Sequence, residues 1–137
     1  LDCLGREQEL RDYIAPFHDA GMLVSLFIDA DPRQIEAAWA IGAEYVELHT
    51  GHYADAVDLA GREALLGKLL TGIELARKQD LKVNLGHGLN YVNVAPFAKV
   101  PGIREYSIGH SIMSRAILVG LDRAVKDMVD ILRGFVD

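Results

Sequence analysis

"MLVSLFIDADPRQIEAAWAIGAEYVELHTG", residues 22–51, places an apolar run, a capped helical stretch and a second apolar run in direct succession. Met22 to Ala30 is nearly continuous in strand-forming residues, as expected for a strand covered on both faces in a parallel sheet. It ends at Asp29, Asp31 and Pro32, where a turn begins. Asp31 is a helix N-cap and Pro32 suits the first helical position; Ile35, Ala38, Trp39 and Ala40 supply packing, and Gly42 supplies the stop. Glu44 to Gly51 then reads as a second strand. A strand, a helix and a strand at this spacing make a βαβ unit, whose two strands run parallel through a right-handed crossover.

The same alternation extends in both directions. Upstream, Leu10, Ile14 and Phe17 mark one face of a helix over residues 6–20, with Gly21 as its stop. Downstream, residues 52–80 form a long helical stretch with leucines 65, 66, 69 and 70 and Ile73 facing inward, weakened slightly by Gly67 and Gly72. Leu81 to Gly86 is the third strand, and Val92 to Val100 holds only a short helix because Pro96 lies inside it. Gly102 to Gly109 is the fourth strand, followed by a short and then a long terminal helix. Strand starts fall about 20 to 40 residues apart, which is βαβ spacing and defines the α/β class. Two architectures fit, an open doubly wound sheet and half of an eight-stranded barrel.

With 137 residues, 50% hydrophobic and 25% charged, the chain has material for one globular core. A net charge of −6 and scattered basic residues argue against a nucleic-acid partner. No stretch approaches the roughly 18 apolar residues of a membrane span. The one cysteine, Cys3, excludes an internal disulfide framework and fits a reducing compartment, so the cytoplasm is expected. Beginning at Leu1 without a methionine, the chain is expected to be a piece of a longer protein.

In both architectures ligands bind at the carboxyl ends of the strands, and all four ends are polar. The first carries Asp29, which also suits a turn cap, and the second carries Glu47, His49 and Thr50. The third carries Asn84 and His87, and the fourth Ser107, Gly109 and His110. In "VNLGHGLNY" (83–91), Gly86 and Gly88 either take backbone angles closed to other residues, leaving His87 merely exposed on a turn, or let the backbone pass close to a ligand with which His87 exchanges a proton. In "SIGHSIMSR" (107–115), Gly109 opens a helix whose backbone N–H groups either cradle a phosphate or form an ordinary helix start. Glu47 and His49 alternate on one strand face, as a catalytic pair or a structural one. With no third ligand at a recognised spacing, no metal is expected there. His52, Tyr53 and Asp55 follow in a loop able to close over a ligand, and His18 is expected at the surface.

"VSLFIDAD", "EYVELHTGHYADA", "LKVNLGHGLNY" and "SIGHSIMSRAILVGL", in this order and spacing, resemble the carboxyl-terminal half of the pyridoxine 5′-phosphate synthase (PdxJ) family. The resemblance implies that residues 1–137 supply about four βα units of one (β/α)8 TIM barrel, in a protein that forms homo-oligomers. It implies condensation of 1-deoxy-D-xylulose 5-phosphate with 3-amino-2-oxopropyl phosphate to pyridoxine 5′-phosphate, phosphate and water, with no cofactor. Carried over by position, His87 is the proton donor and Gly88 contacts the deoxyxylulose phosphate. Gly109 and His110 bind the aminoketone phosphate, and Glu47 is a further active-site carboxylate. The family's amino-terminal half, with its general bases, has no counterpart here, so the chain is expected to be inactive alone, its missing strands supplied from elsewhere. Two other readings compete: a non-catalytic half-barrel module that binds phosphorylated ligands or self-associates, and a different sugar-phosphate isomerase or aldolase. A Schiff-base aldolase is disfavoured because no strand end offers a lysine.

Overall fold

A computed structural model describes residues 1–135. Four strands, β1 (Ser25–Ile28), β2 (Tyr45–Leu48), β3 (Lys82–Leu85) and β4 (Ile103–Tyr106), form one sheet in the order β1-β2-β3-β4. All three pairings are parallel, with Phe27 opposite Glu47, Glu47 opposite Asn84, and Asn84 opposite Glu105. The strand order follows the chain without the reversal that a doubly wound sheet contains.

The helices are α1 (Glu7–Asp19), α2 (Pro32–Ile41), α3 (Gly51–Ala54), α4 (Leu59–Lys78), α5 (His110–Val119) and α6 (Leu121–Leu132), with short 3-10 turns at Leu4–Arg6 and Ala95–Phe97. The signals read for α2 act as anticipated. The Asp31 carboxylate accepts from the Arg33 N–H at 2.9 Å, and Gly42 ends the helix at φ +103°. The Arg33 guanidinium bonds the same carboxylate and holds it below the usual range. Residues 52–80 are not one helix: the chain breaks after Ala54, and Asp58 caps α4 by accepting from the Gly61 N–H at 2.7 Å. At the other end of the sheet Gly120, at φ +84°, separates α5 from α6.

Packing explains why the outer positions of the first strand read wrongly. Leu26, Ile28, Val46, Leu48, Val83 and Leu85 are buried on one sheet face, in a core with Ile35, Ile73 and Phe97. The opposite face is open, and Phe27 is 42% exposed on it. β1 is therefore covered on one face only and is shorter than the Met22–Ala30 run. Trp39, expected to pack, is 56% exposed, because Ile35, Ala38 and Ile41 already fill the buried side of α2. Phe17 and Leu70 are exposed as well, while Leu69 and Ile73 are buried. Along α5, Met113, Ile117 and Leu118 stand exposed.

His18 is not a free surface residue. Its Nε2 lies 3.2 Å from a Glu44 carboxylate oxygen in a half-buried pair joining α1 to the start of β2. Burial opposes ionisation of Glu44, but the Val24 N–H at 2.8 Å and the His18 imidazole outweigh it and keep the carboxyl below its usual value. No described helix is long and apolar enough to cross a membrane.

Candidate active site

His87 sits at the second position of a tight turn closed by the Leu89 N–H, which donates to the Gly86 carbonyl at 2.9 Å. Gly88 follows at φ +85°, the angle a type II turn requires at its third residue. The backbone around the imidazole is held from two sides. The buried Thr50 hydroxyl donates to the His87 carbonyl at 2.6 Å, and Asn93 Nδ2 donates to the Gly88 carbonyl at 3.1 Å. Tyr53, whose phenol is pushed up by burial, donates in turn to the Asn93 carbonyl at 2.7 Å. The His87 side chain is thus presented outward from a fixed turn.

The two glycines beside it differ. Only Gly88 has a left-handed backbone angle. Gly86 is glycine for space: a Cβ there would lie 2.7 Å from both Glu47 Oε1 and the Ser107 carbonyl oxygen. The close approach read from the sequence is real at this position, and the group approaching is the Glu47 carboxylate. That carboxylate also accepts from the Ser107 hydroxyl at 3.2 Å, and Glu105 Oε1 stands 3.4 Å from the same hydroxyl.

The imidazoles gather on the same rim. The His49 ring centroid is 5.6 Å from that of His87 and 5.0 Å from that of His52, and Phe27 stands 5.2 Å from His49 and 6.0 Å from His87. Asp29 does not cap the turn after β1, which is the work of Asp31. Its Oδ1 lies 3.2 Å from His49 Nδ1 and so orients that ring. Asp29, His49 and His52 each present one potential metal-ligand atom, all within 4.8 Å of one another. Spacing along the chain offered no third ligand. The β1–β2 register supplies one, because Asp29 follows Phe27 as His49 follows Glu47. These three residues, with Asp31, Tyr53 and Lys68, border a cavity of about 450 Å³.

Gly109 and His110 begin α5. Gly109 is its N-cap; among the described residues no side chain caps the helix start, and nothing lies within 4 Å of where a Gly109 Cβ would be. Unpaired amide N–H groups at a helix start are donors of the kind that bind anions. The Ser111 hydroxyl donates to the Leu89 carbonyl at 3.0 Å and thereby ties α5 to the His87 turn. Glu47, His87 and Gly88 are thus brought to one rim, with Gly109 and His110 joined to it through Ser111. Phe27, Asn84 and Glu105 share this face, and their register partnership with Glu47 was not visible in the sequence.

The family model "Pyridoxal phosphate biosynthesis protein PdxJ" matches residues 1–134. A protein of Maridesulfovibrio salexigens named pyridoxine 5′-phosphate synthase is 62% identical over 137 residues, which is 100% of this chain and 57% of that protein. Proteins of the same name from Nitratidesulfovibrio vulgaris and Solidesulfovibrio magneticus are 57% and 56% identical, over 96% and 100% of this chain and 54% and 57% of their own lengths. The chain therefore spans little more than half the length of these curated relatives. This corrects the expectation of a carboxyl-terminal half.

Proposed function

Because the chain belongs to the PdxJ family of pyridoxal phosphate biosynthesis proteins, we propose that it carries part of the active site of a pyridoxine 5′-phosphate synthase. In this reading it contributes four consecutive βα units of a (β/α)8 barrel, and the remaining strands come from the rest of a longer chain or from a partner chain, within a homo-oligomer. The sequential parallel order of β1 to β4, with helices on one face and the other face open, supports that role. The activity is condensation of 1-deoxy-D-xylulose 5-phosphate with 3-amino-2-oxopropyl phosphate to pyridoxine 5′-phosphate, phosphate and water.

The observation that carries the proposal is the rigid turn that presents His87 on the rim shared with Glu47 and with the uncapped start of α5. Imine formation, loss of phosphate, loss of water and ring closure each require protons to be delivered and removed near neutral pH, the range in which imidazole works. His87 is the proton donor. Glu47 is a further active-site carboxylate, Gly88 contacts the deoxyxylulose phosphate, and Gly109 and His110 hold the phosphate of the aminoketone. Two phosphate esters are anchored by backbone amides, and the reading invokes no cofactor or metal.

Replacing His87 by Asn in the protein with its barrel complete is expected to lower turnover by roughly 10²–10⁴-fold, the usual worth of general acid catalysis, while both substrates still bind. Turnover within a factor of two of the parent would remove His87 from the mechanism. The 137-residue chain alone is expected to release no pyridoxine 5′-phosphate, as judged by the absorbance of the product after chromatography. The open face and the exposed Phe27 favour one alternative, a non-catalytic half-barrel that binds phosphorylated molecules or self-associates; it predicts no turnover even when the barrel is complete.

A further inference from the structure

Glu47, Asn84 and Glu105 are register partners on three adjacent strands, so their side chains leave the sheet on one face at one level, roughly 4.8 Å from strand to strand. Glu105 joins the row because the β3–β4 register shifts between Val83 and Asn84, which leaves Arg104 outside the pairing. Val83 and Leu85, on either side of Asn84, are fully buried against the helices, and this fixes the Asn84 side chain on the opposite, site-facing side. Asn84 is only 8% exposed there, and its Oδ1 is buried with no hydrogen-bond partner among the described residues.

The row carries two carboxylates and an unpaired amide oxygen, and its own donors are the Ser107 hydroxyl and the Asn84 amide NH2. Neither Glu47 nor Glu105 forms an ion pair among the described residues. One hydroxyl, that of Ser107, stands within reach of both carboxylates at 3.2 and 3.4 Å, and its single proton serves one at a time. Gly86 keeps the backbone beneath this group clear, since a Cβ would collide with Glu47 Oε1 and with Ser107. A buried amide oxygen left unpaired is unfavourable unless a donor reaches it. The group that answers all three acceptors together is a cation with several N–H donors and no acceptor of its own.

We propose that Glu47, Asn84 and Glu105, with Ser107, form a subsite for the protonated primary amine of the substrate, an alkylammonium. An ammonium has three N–H bonds, matching two carboxylates and one amide oxygen. The inference rests on the synthase reading, in which one substrate carries a primary amine and a phosphate. It adds to that reading where the amine is held, by which residues, and with what selectivity over a hydroxyl.

The test uses two probes that differ at one end only, 3-aminopropyl phosphate and 3-hydroxypropyl phosphate, titrated calorimetrically at pH 7 into the protein with its barrel complete. The amine is expected to bind about tenfold tighter, the increment of charge-assisted over neutral hydrogen bonding. Glu105→Gln is expected to reduce the preference to about twofold or less, chiefly by weakening binding of the amine probe. Asn84→Leu is expected to do the same, and because Asn84 is buried its thermal midpoint is measured alongside; Glu105 is exposed, so its variant decides the matter if Asn84→Leu unfolds. Equal affinity for the two probes, or a preference that survives Glu105→Gln, overturns the subsite and leaves the synthase reading standing, since phosphate binding persists. Failure of both probes to bind overturns the synthase reading and the subsite with it.

Discussion

Gly86 and Gly109 lie along one rim, yet a methyl added to each would meet very different surroundings. At Gly86 the added methyl meets the Glu47 carboxylate and the Ser107 backbone at 2.7 Å, so Gly86→Ala is expected to cost roughly 1–3 kcal/mol as overpacking and to displace Glu47. At Gly109 the methyl meets nothing within 4 Å and the backbone is unstrained, so Gly109→Ala is expected to cost only about 0.5 kcal/mol from a weaker cap. If the start of α5 holds phosphate, the same methyl stands where the anion must sit, and affinity for a phosphate ester falls at least tenfold. Unchanged affinity in Gly109→Ala, measured beside an unchanged thermal midpoint, would move the phosphate elsewhere. The sequence made the pairing of a histidine with two glycines legible, and the alternation of Glu47 with His49 on one face. It did not reveal that Gly86 yields to Glu47, because the two residues meet only through the β2–β3 register. The same holds for Asp29 and His49, which are 20 residues apart and 3.2 Å from contact to contact.

Among the elements, all four strands and the caps of α2 were legible because their signals are local: apolar runs, an Asp-Pro start, a glycine stop. The break between α3 and α4 was not, since no glycine or proline marks residues 55–58 and the interruption comes from Asp58 capping a new start. The exposure of Trp39 escaped for a similar reason, as a helix face is chosen by what it packs on. The pairing of α5 with α6 is electrostatic as well as apolar. Asp127 lies within 2.9 Å of Arg115 Nε and 2.7 Å of Arg123 Nε, and the Arg115 guanidinium, followed by that of Arg123, keeps its carboxyl below the usual range. A carboxyl whose folded pKa lies below its unfolded value of about 3.9 stabilises the fold above that pH, and the contribution disappears as pH falls through the folded value. Asp127→Asn is therefore expected to lower the urea midpoint at pH 7 and to converge with the parent below about pH 4. A difference that stays constant from pH 7 to pH 3 would show that the arginines add nothing through charge.

For the molecule as a whole, the sheet has helices on one face and an open second face, with β1 and β4 at its edges. Unpaired strand edges and exposed apolar side chains such as Phe27, Ile117 and Leu118 favour association. Sedimentation of the 15.1 kDa chain at micromolar concentration is expected to show heavier species, reduced when Ile117 and Leu118 are both replaced by Ser. A clean monomer would mean that the open face is tolerated in water. The sequence indicated the parallel alternation but left doubly wound and barrel-like orders equally open, because both are built from the same βαβ units. The order β1-β2-β3-β4 has a consequence for how the chain reaches its structure. Every strand pairs with its neighbour in the chain, so no pairing waits for a segment made much later, and each loop closed is short. On a ribosome, β1 and β2 are able to zip together while α4 is still being translated, and each new strand docks on an edge already in place. Assembly then proceeds in the direction of synthesis, and the growing edge, together with the outer edge of β1, is what must be kept from the wrong partner.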